Sequence, residues 1–259
     1  MRLVKSLRYP ALVSTPPSAR PRRIRIARAV SVEELADKLA ALGQLERERL
    51  GVDEARLAIA YFPPFFKRLV VAGGYSEAQA QAFTTKLRDA GRRSPPWRPA
   101  SGRVPGRPQD GADGNRRNRW LFEEEHKFYA DELTATLVEV RYFLQALSMD
   151  GAPSIDGNPL RDEWAWLAGH PIEPGQYKDP IQLIPISFPE VIQDLRQIES
   201  GHLIPLNRDG RHTPDNAFLM LARSNDLQGD LTLDEMLGLM RAIVERHQQE
   251  SPAEPEVQL

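Results

Sequence analysis

The stretch from His202 to Asn225 constrains the fold of this chain more than any other part of it. It holds His202 at its start, Asn216 in the middle and Asn225 at its end. Short apolar runs predict a strand over 202–206 and a second strand over 217–221, and residues 223–228 predict a helical turn closed by Gly229. A strand, loop, strand and helix in this order can bring an imidazole and an amide together around one divalent cation.

Composition excludes several classes of protein. The chain has 259 residues, of which 41% are hydrophobic and 27% are charged, as is normal for a soluble globular protein of one large or two small domains. It has no cysteine, which rules out disulfides, a thiolate zinc site and a cysteine nucleophile. No apolar run reaches 18 residues and no secretory signal is recognisable, so we expect a cytoplasmic protein without a membrane span.

The net charge of -2 hides a strong asymmetry. Residues 1–28 carry eight basic residues and no acid, and residues 92–119 carry eight arginines against two aspartates. Basic stretches on an acidic body indicate contacts with the phosphates of a polyanion. A solvated basic tail is the alternative for both stretches, and an organelle transit peptide is a further alternative for the first.

The remaining pattern predicts a mostly helical chain. Residues 1–91 form a basic arm and a helical N-terminal region, in which Pro63 and Pro64 are expected to end one helix. Residues 92–118 are an Arg/Pro/Gly-rich linker, where Trp97 is either a packed anchor or a base-stacking platform. Residues 119–259 contain a long helix over 119–148 and then the histidine motif, whose core spans about 179–247.

Five short segments of the motif are typical of one known family. They are Gly201–Leu206, the Arg-Asp-Gly loop at 208–210, Thr213–Asn216, the Ser224–Asn225 pair with Gly229 after it, and Leu231–Glu235. In these segments the chain resembles the HNH endonuclease family. The resemblance implies an α+β fold, in which a mostly helical chain carries a small C-terminal ββα-metal unit. This unit lacks the zinc cysteines of many members, so we expect apolar packing to hold it, with a core of Ile204, Leu206, Phe218, Met220 and Leu221.

The resemblance also assigns roles to the three signature residues. Phosphodiester hydrolysis requires an activated water and stabilisation of the charge on the leaving oxygen. His202 would be the general base, because a neutral imidazole can deprotonate water. Asn225 would bind Mg²⁺ or another divalent cation such as Mn²⁺ through its side-chain oxygen. Asn216 would brace the loop and orient the base.

One position departs from the family pattern. Many members place an aspartate immediately before the first histidine, where it binds the metal, and this chain has Gly201 there. Glu199 and Asp209 are the nearest oxygen donors in the sequence and are the candidate replacements. Contacts with DNA are expected from four side chains in and after the loop, which are Arg208, Arg211, His212 and Arg223. For His212, a solvated position in the loop is the alternative.

The sequence therefore predicts a metal-dependent endonuclease that acts on double-stranded DNA, with a role in restriction or phage defence, and a homodimer is compatible with it. A non-catalytic DNA-binding protein that keeps the HNH-like fold is the alternative, because Gly201 replaces a metal ligand. A structural helical protein with a coincidental motif is the third reading. Taken singly, His202 fits a core histidine, Asn216 a turn residue and Asn225 a helix N-cap.

Overall fold

The computed structural model describes residues 30–45, 50–95, 116–154, 157 and 159–250. The basic stretch 1–28, most of the expected linker and Trp97 lie outside these residues. The regular elements follow one another as α1 Val32–Gly43, α2 Val52–Ala72, α3 Glu77–Arg92, α4 Glu132–Leu147, α5 Leu160–Glu163, α6 Ala165–Ala168, α7 Phe188–Gln193, β1 Ile198–His202, β2 Ala217–Leu221, α8 Ala222–Gln228 and α9 Leu233–Glu250.

The predicted fold class is confirmed. The described chain is mostly helical, and its two strands form a small antiparallel sheet near the C-terminus, with no cysteine anywhere. The order strand, strand, helix in β1, β2 and α8 follows the order expected from the sequence. None of the helices in the described residues is long and apolar enough to cross a membrane.

Helix α2 is continuous where the sequence predicts a break. Pro63 and Pro64 lie inside it, although each proline removes a backbone donor and costs a helix interior about 3 kcal/mol. The side chains of Phe62, Phe65 and Phe66 have no exposed surface, and a fully buried aromatic side chain stabilises by roughly 1.5–3 kcal/mol. Packing therefore outweighs the local preference, and the expectation that a helix ends at these prolines is wrong.

Helix α4 is the central element of the core, but it is shorter than the helix predicted over 119–148. It begins after Asp131, whose Oδ1 accepts a hydrogen bond from the backbone N–H of Thr134 at 2.9 Å. Fourteen of its 16 residues are buried, so it is packed on all sides. The preceding residues instead form a 3-10 turn over Arg119–Leu121 and a series of turns, which brings this segment to the histidine motif.

Helices α3 and α4 are in close contact at Gly91. A Cβ atom at this position would lie 2.4 Å from the Cα of Glu139 in α4, so a side chain cannot be placed there without moving the backbone. Beside this contact, the buried carboxylate of Glu139 pairs with Arg92. Glycine at position 91 thus fixes the distance between the two helices.

The two-stranded sheet is held against the helical core by side chains that replace a third strand. The N–H of Leu219 donates to Oε1 of Gln145 in α4 at 3.0 Å, and its carbonyl accepts from the hydroxyl of Tyr177. The N–H of Leu221 donates to Oδ2 of Asp179 at 2.8 Å. Because an isolated hairpin is marginally stable, these bonds and the packing beneath them anchor the motif.

The apolar core of the motif differs in part from the expected one. Met220 is buried as predicted, whereas Ile204 is 50% exposed and Leu206, Phe218 and Leu221 are only partly buried. The buried cluster runs from Leu35 in α1 to Ile198, Ala217 and Leu219 in the sheet. The N-terminal helices and the histidine motif therefore share one core, while the boundaries at 91 and 119 stay a prediction.

We predict that Gly91→Ala destabilises the protein although alanine is the better helix former. The new methyl group meets the α4 backbone, and overpacking of this kind costs about 1–3 kcal/mol. Gly238→Ala in α9 is the matched control, since nothing lies within 4 Å of a Cβ there and the substitution should stabilise by up to about 1 kcal/mol. Urea denaturation of both variants measures the two effects, and equal stabilities would contradict the close contact.

Candidate active site

His202 is the last residue of β1 and lines a cleft of about 200 Å³. Asn225 and Gln228 of α8 line the same cleft, which Lys127 and Asn207 border from two loops. The amide of Gln228 donates to the carbonyl oxygens of His202 and Leu203 at 3.0 and 2.9 Å, so α8 fixes the end of the strand. The two ends of the motif therefore meet at this cleft.

A chain of hydrogen bonds connects His202 to the end of helix α3. Nε2 of His202 lies 2.9 Å from Nδ1 of His212, and Nε2 of His212 lies 2.6 Å from the backbone oxygen of Gly91. The carbonyl of Gly91 is in the last turn of α3, where carbonyls lack helical partners, and residue 95 is a proline without an N–H to donate to it. We call these three groups the histidine relay.

The partners of the relay determine where its protons lie. A carbonyl oxygen can only accept, so Nε2 of His212 carries the proton that is donated to Gly91. Burial, with the nearby Arg119 as a second cause, holds the pKa of His212 well below its usual range, so its ring is neutral and its Nδ1 can only accept. Nε2 of His202 must then donate, which leaves Nδ1 of His202 with an unprotonated lone pair when that ring is neutral.

Burial and, second to it, a nearby buried arginine keep the relay neutral. Arg119 is 2% exposed, and its Nη1 donates to the carbonyl of Phe128 at 3.3 Å. Burial lowers the pKa of Arg119 to about 10, yet the group remains charged at neutral pH. Burial and the charge of Arg119 together lower the pKa of His202 to about 3, because both disfavour an imidazolium.

Glu199 and Asn225 form a pair of oxygen-bearing side chains beside Gly201. Nδ2 of Asn225 donates to Oε2 of Glu199 at 2.8 Å. Glu199 is two residues before Gly201 on β1, and side chains two apart point to the same face of a strand. A Cβ at position 201 would lie 2.9 Å from Oδ1 of Asn225 and 2.4 Å from Sδ of Met220, so glycine gives the asparagine its room.

The other two predicted loop residues have different positions. Asp209 follows a 3-10 turn over Leu206–Arg208 and has a positive φ of 61°. Neither Asp209 nor Glu199 lines the cleft, but the side chain of Asn225 hydrogen-bonds to Glu199. Asn216 is buried, and its amide spans the loop. Its Oδ1 accepts from the N–H of Ile204 at 2.7 Å, and its Nδ2 donates to the carbonyls of Ile204 and Arg211 at 3.0 and 2.8 Å.

Two lining residues were missed by sequence reasoning. Lys127 donates to Oδ1 of Asn207 at 2.7 Å, and Nδ2 of Asn207 donates to Oδ1 of Asp230 at 2.9 Å, which links three loops along one side of the cleft. Lys127 lies 75 residues before His202 in a segment predicted to be helical, so no local pattern connects it to the motif. Its exposed ammonium group adds a positive charge at the cleft.

Three of the four side chains expected to contact DNA are exposed, and the fourth, His212, is not. Arg208 pairs with Glu235 at 2.6 Å, Arg211 donates to the carbonyl of Glu124 at 3.2 Å, and Arg223 is exposed on α8. His212 has no exposed surface. The expectation of a solvated loop histidine is therefore wrong, and a ring enclosed in this way cannot contact a phosphate.

The described arginines of 92–119 also have roles inside the protein. Arg92 pairs with the buried Glu139, and Arg93 pairs with Asp89 at 3.1 Å. Arg119 is enclosed near the histidine relay. Phosphate contacts by this stretch would therefore come from its other arginines, and most of those lie outside the described residues.

Comparison with known proteins yields little. No family model and no curated protein matches this chain. Among solved structures, a type II restriction endonuclease aligns with a TM-score of 0.40 and 20% sequence identity. The alignment covers 48% of this chain and 55% of that one, which is about half of its length. Similarity at this level identifies neither the fold nor the activity of this chain.

We predict that the relay makes stability depend on pH. The pKa of His212 in the folded protein is far below the usual value of 6.5. At a pH between the folded pKa and 6.5, His212 is therefore protonated in the unfolded chain but neutral in the folded protein. Each such histidine removes about 1.4 kcal/mol of stability per pH unit as pH falls below 6.5. Glu139 acts in the opposite direction because burial raises its pKa to about 7, so a variant must serve as the reference.

The reference is His212→Leu, which removes one of the titrating groups. Its free energy of unfolding should fall less steeply between pH 6.5 and pH 5 than that of the wild type, by about 1.4 kcal/mol per pH unit. Urea denaturation at four pH values gives the two slopes. Parallel slopes would show that His212 is protonated in the folded protein, contrary to the proton positions derived above.

Proposed function

We propose that this chain is an endonuclease that hydrolyses phosphodiester bonds of double-stranded DNA with the help of a divalent cation. The observation that carries the proposal is the histidine relay, which leaves Nδ1 of His202 unprotonated in a residue that lines the cleft. An unprotonated imidazole nitrogen is the group that a hydrolytic reaction needs in order to take a proton from water. The resemblance to the HNH endonucleases supports the same reaction and substrate.

The residues beside Gly201 fit a hard cation. Glu199 offers a carboxylate and Asn225 an amide oxygen, and Mg²⁺ and Mn²⁺ both accept oxygen ligands. No group of three or more His, Asp or Glu side chains among the described residues could hold a metal ion. A site with one carboxylate suits Mg²⁺, which keeps several waters and relies on the phosphates of its substrate. When bound, the cation would stabilise the charge that develops on phosphate oxygens.

The substrate itself would strengthen the base. A pKa of about 3 makes His202 a weak base in the free protein. A phosphate in the cleft brings negative charge close to the imidazole, which favours its protonated form and opposes the effect of Arg119. DNA binding would therefore raise the pKa of His202 at the moment when a base is needed, while Lys127 supplies positive charge at the cleft.

A specific observation favours the alternative function, that of a non-catalytic DNA-binding protein. Gly201 takes the position at which many HNH enzymes carry a metal-binding aspartate, and a chain that lost this ligand could bind DNA without cutting it. Glu199 argues against that loss, because it places a carboxylate against Asn225 from the same face of β1. A role in restriction or phage defence, a cytoplasmic location and a homodimer remain part of the proposal.

We predict that His202→Ala strongly slows cleavage but leaves DNA binding intact. Loss of a general base lowers the rate by roughly 100-fold or more, whereas phosphate contacts elsewhere are unchanged. The test is nicking of supercoiled plasmid in Mg²⁺ and in chelator, together with fluorescence anisotropy on a labelled duplex. His247→Ala on α9 is the matched control, because this histidine does not line the cleft.

The outcomes separate the two functions. Mg²⁺-dependent nicking by the wild type that disappears in His202→Ala supports the endonuclease. Tight DNA binding without nicking by the wild type supports the non-catalytic alternative. Nicking by His202→Ala at the wild-type rate would contradict the assignment of the base.

We predict different effects on the Mg²⁺ requirement for two substitutions of Asn225. Asn225→Asp keeps an oxygen ligand and adds charge beside Glu199, so half-maximal nicking should need no more Mg²⁺ than in the wild type. Asn225→Ala removes the ligand and should raise the Mg²⁺ requirement by roughly 10- to 100-fold, as losses around a metal site do. Nicking rates over a Mg²⁺ titration measure both, and superimposable curves for Asn225→Ala and wild type would place the ligand elsewhere.

A further inference from the structure

His212 is expected from the sequence to contact DNA, yet in the structure its ring is hydrogen-bonded to the base. Its ring is fully buried between His202 and helix α3, and both of its nitrogens are used. Buried polar groups are normally satisfied by hydrogen bonds, so satisfaction alone needs no functional explanation. The direction of the bonds is informative, because His202 donates to His212 and His212 donates to the carbonyl of Gly91.

This direction selects one of the two neutral forms of His202. A neutral imidazole carries its proton on either nitrogen, and the hydrogen bond made by one nitrogen decides the state of the other. Nδ1 of His212 can only accept, so it holds the proton of His202 on Nε2. Without this acceptor, the proton of His202 could occupy Nδ1, and the ring would then have no free lone pair there.

The far end of the relay also favours the charge that catalysis creates. The relay ends at a carbonyl in the last turn of α3, where the helix dipole is negative and cations are stabilised. When His202 takes a proton on Nδ1, it becomes an imidazolium whose Nε2–H donates more strongly to His212. His212 in turn donates more strongly to Gly91, so the new positive charge is stabilised along the relay.

We propose that His212 is the positioning residue of this site, which fixes His202 in the form protonated on Nε2 and couples it to the C-terminal end of helix α3. This inference rests on the proposed function for its effect on catalysis, but the proton position can be measured without any reaction. His212 contacts neither DNA nor cation. It acts only through His202, and its Nε2–H is held by the carbonyl of Gly91, a residue at which α3 is in close contact with α4.

Two variants divide the functions of His212. The amide of His212→Asn is short, and its oxygen can take the place of Nδ1 and accept from His202. The amide of His212→Gln is longer, and its nitrogen can take the place of Nε2 and donate to Gly91 while no acceptor remains for His202. Both variants keep a polar side chain in the buried site, so a purely structural role predicts similar behaviour for the two.

The experiment combines nuclear magnetic resonance with kinetics on the full chain. Ring ¹⁵N shifts of metal-free, ¹⁵N-histidine-labelled protein report which nitrogen of His202 is protonated, and His202→Ala identifies its signals among the five histidines. We expect the Nε2–H form in the wild type and in His212→Asn, and a loss of that form in His212→Gln. We expect kcat for plasmid nicking to fall by roughly 10- to 100-fold in His212→Gln and by less in His212→Asn, with KM for DNA unchanged.

Several results would overturn the proposal. They are an Nδ1–H form of His202 in the wild type, an unchanged His202 form in folded His212→Gln, or equal losses of kcat in the two variants. If both variants fail to fold, the wild-type spectrum alone decides. An inactive wild type would contradict the proposed function, whereas its ring shifts would still decide whether His212 sets the proton position.

Discussion

The hydrogen bond from His212 to the carbonyl of Gly91 connects the histidine motif to helix α3. It exists because helix α3 ends in front of Pro95, which cannot donate to that carbonyl, and because a glycine lets α3 press against α4. The same bond fixes the proton on His212 and, through it, the proton on His202. The packing of α3 against α4 thereby influences which nitrogen of His202, at the end of β1, carries the proton.

The buried polar groups around this bond account for the rest of the arrangement. Gln145, Tyr177 and Asp179 hold the free edge of β2, and Gln228 holds the end of β1. Each of these side chains satisfies backbone groups that a two-stranded sheet would otherwise leave without partners. The sheet is too small to be stable by itself, so the helical core must supply both its packing and its hydrogen bonds.

Local patterns predicted those parts of the structure that depend on local physics. The strand over 217–221 is found where the sequence indicates it. A capping box, in which Thr232 and Glu235 exchange hydrogen bonds, opens α9 within the segment Leu231–Glu235. The first strand lies four residues earlier than predicted, at 198–202, because Leu203–Leu206 leaves the sheet for a loop braced by Asn216. Pro63 and Pro64 fail to break α2 because three buried phenylalanines outweigh them.

The candidate site was predictable only for its signature residues. Glu199 could be named because it is near Gly201 in sequence, but the alternation of the strand had to be known before it could be preferred over Asp209. His212, Lys127 and Arg119 take their roles from contacts across 75 residues or more, such as the one between His212 and Gly91, and no periodicity within the motif contains that information.

The most direct test of this account is the scalar coupling across the hydrogen bond between the two histidine rings in the wild-type protein at neutral pH. The account predicts a measurable ¹⁵N–¹⁵N coupling between Nε2 of His202 and Nδ1 of His212, with the shared proton assigned to His202. No coupling between the rings, or a shared proton assigned to His212, would contradict it.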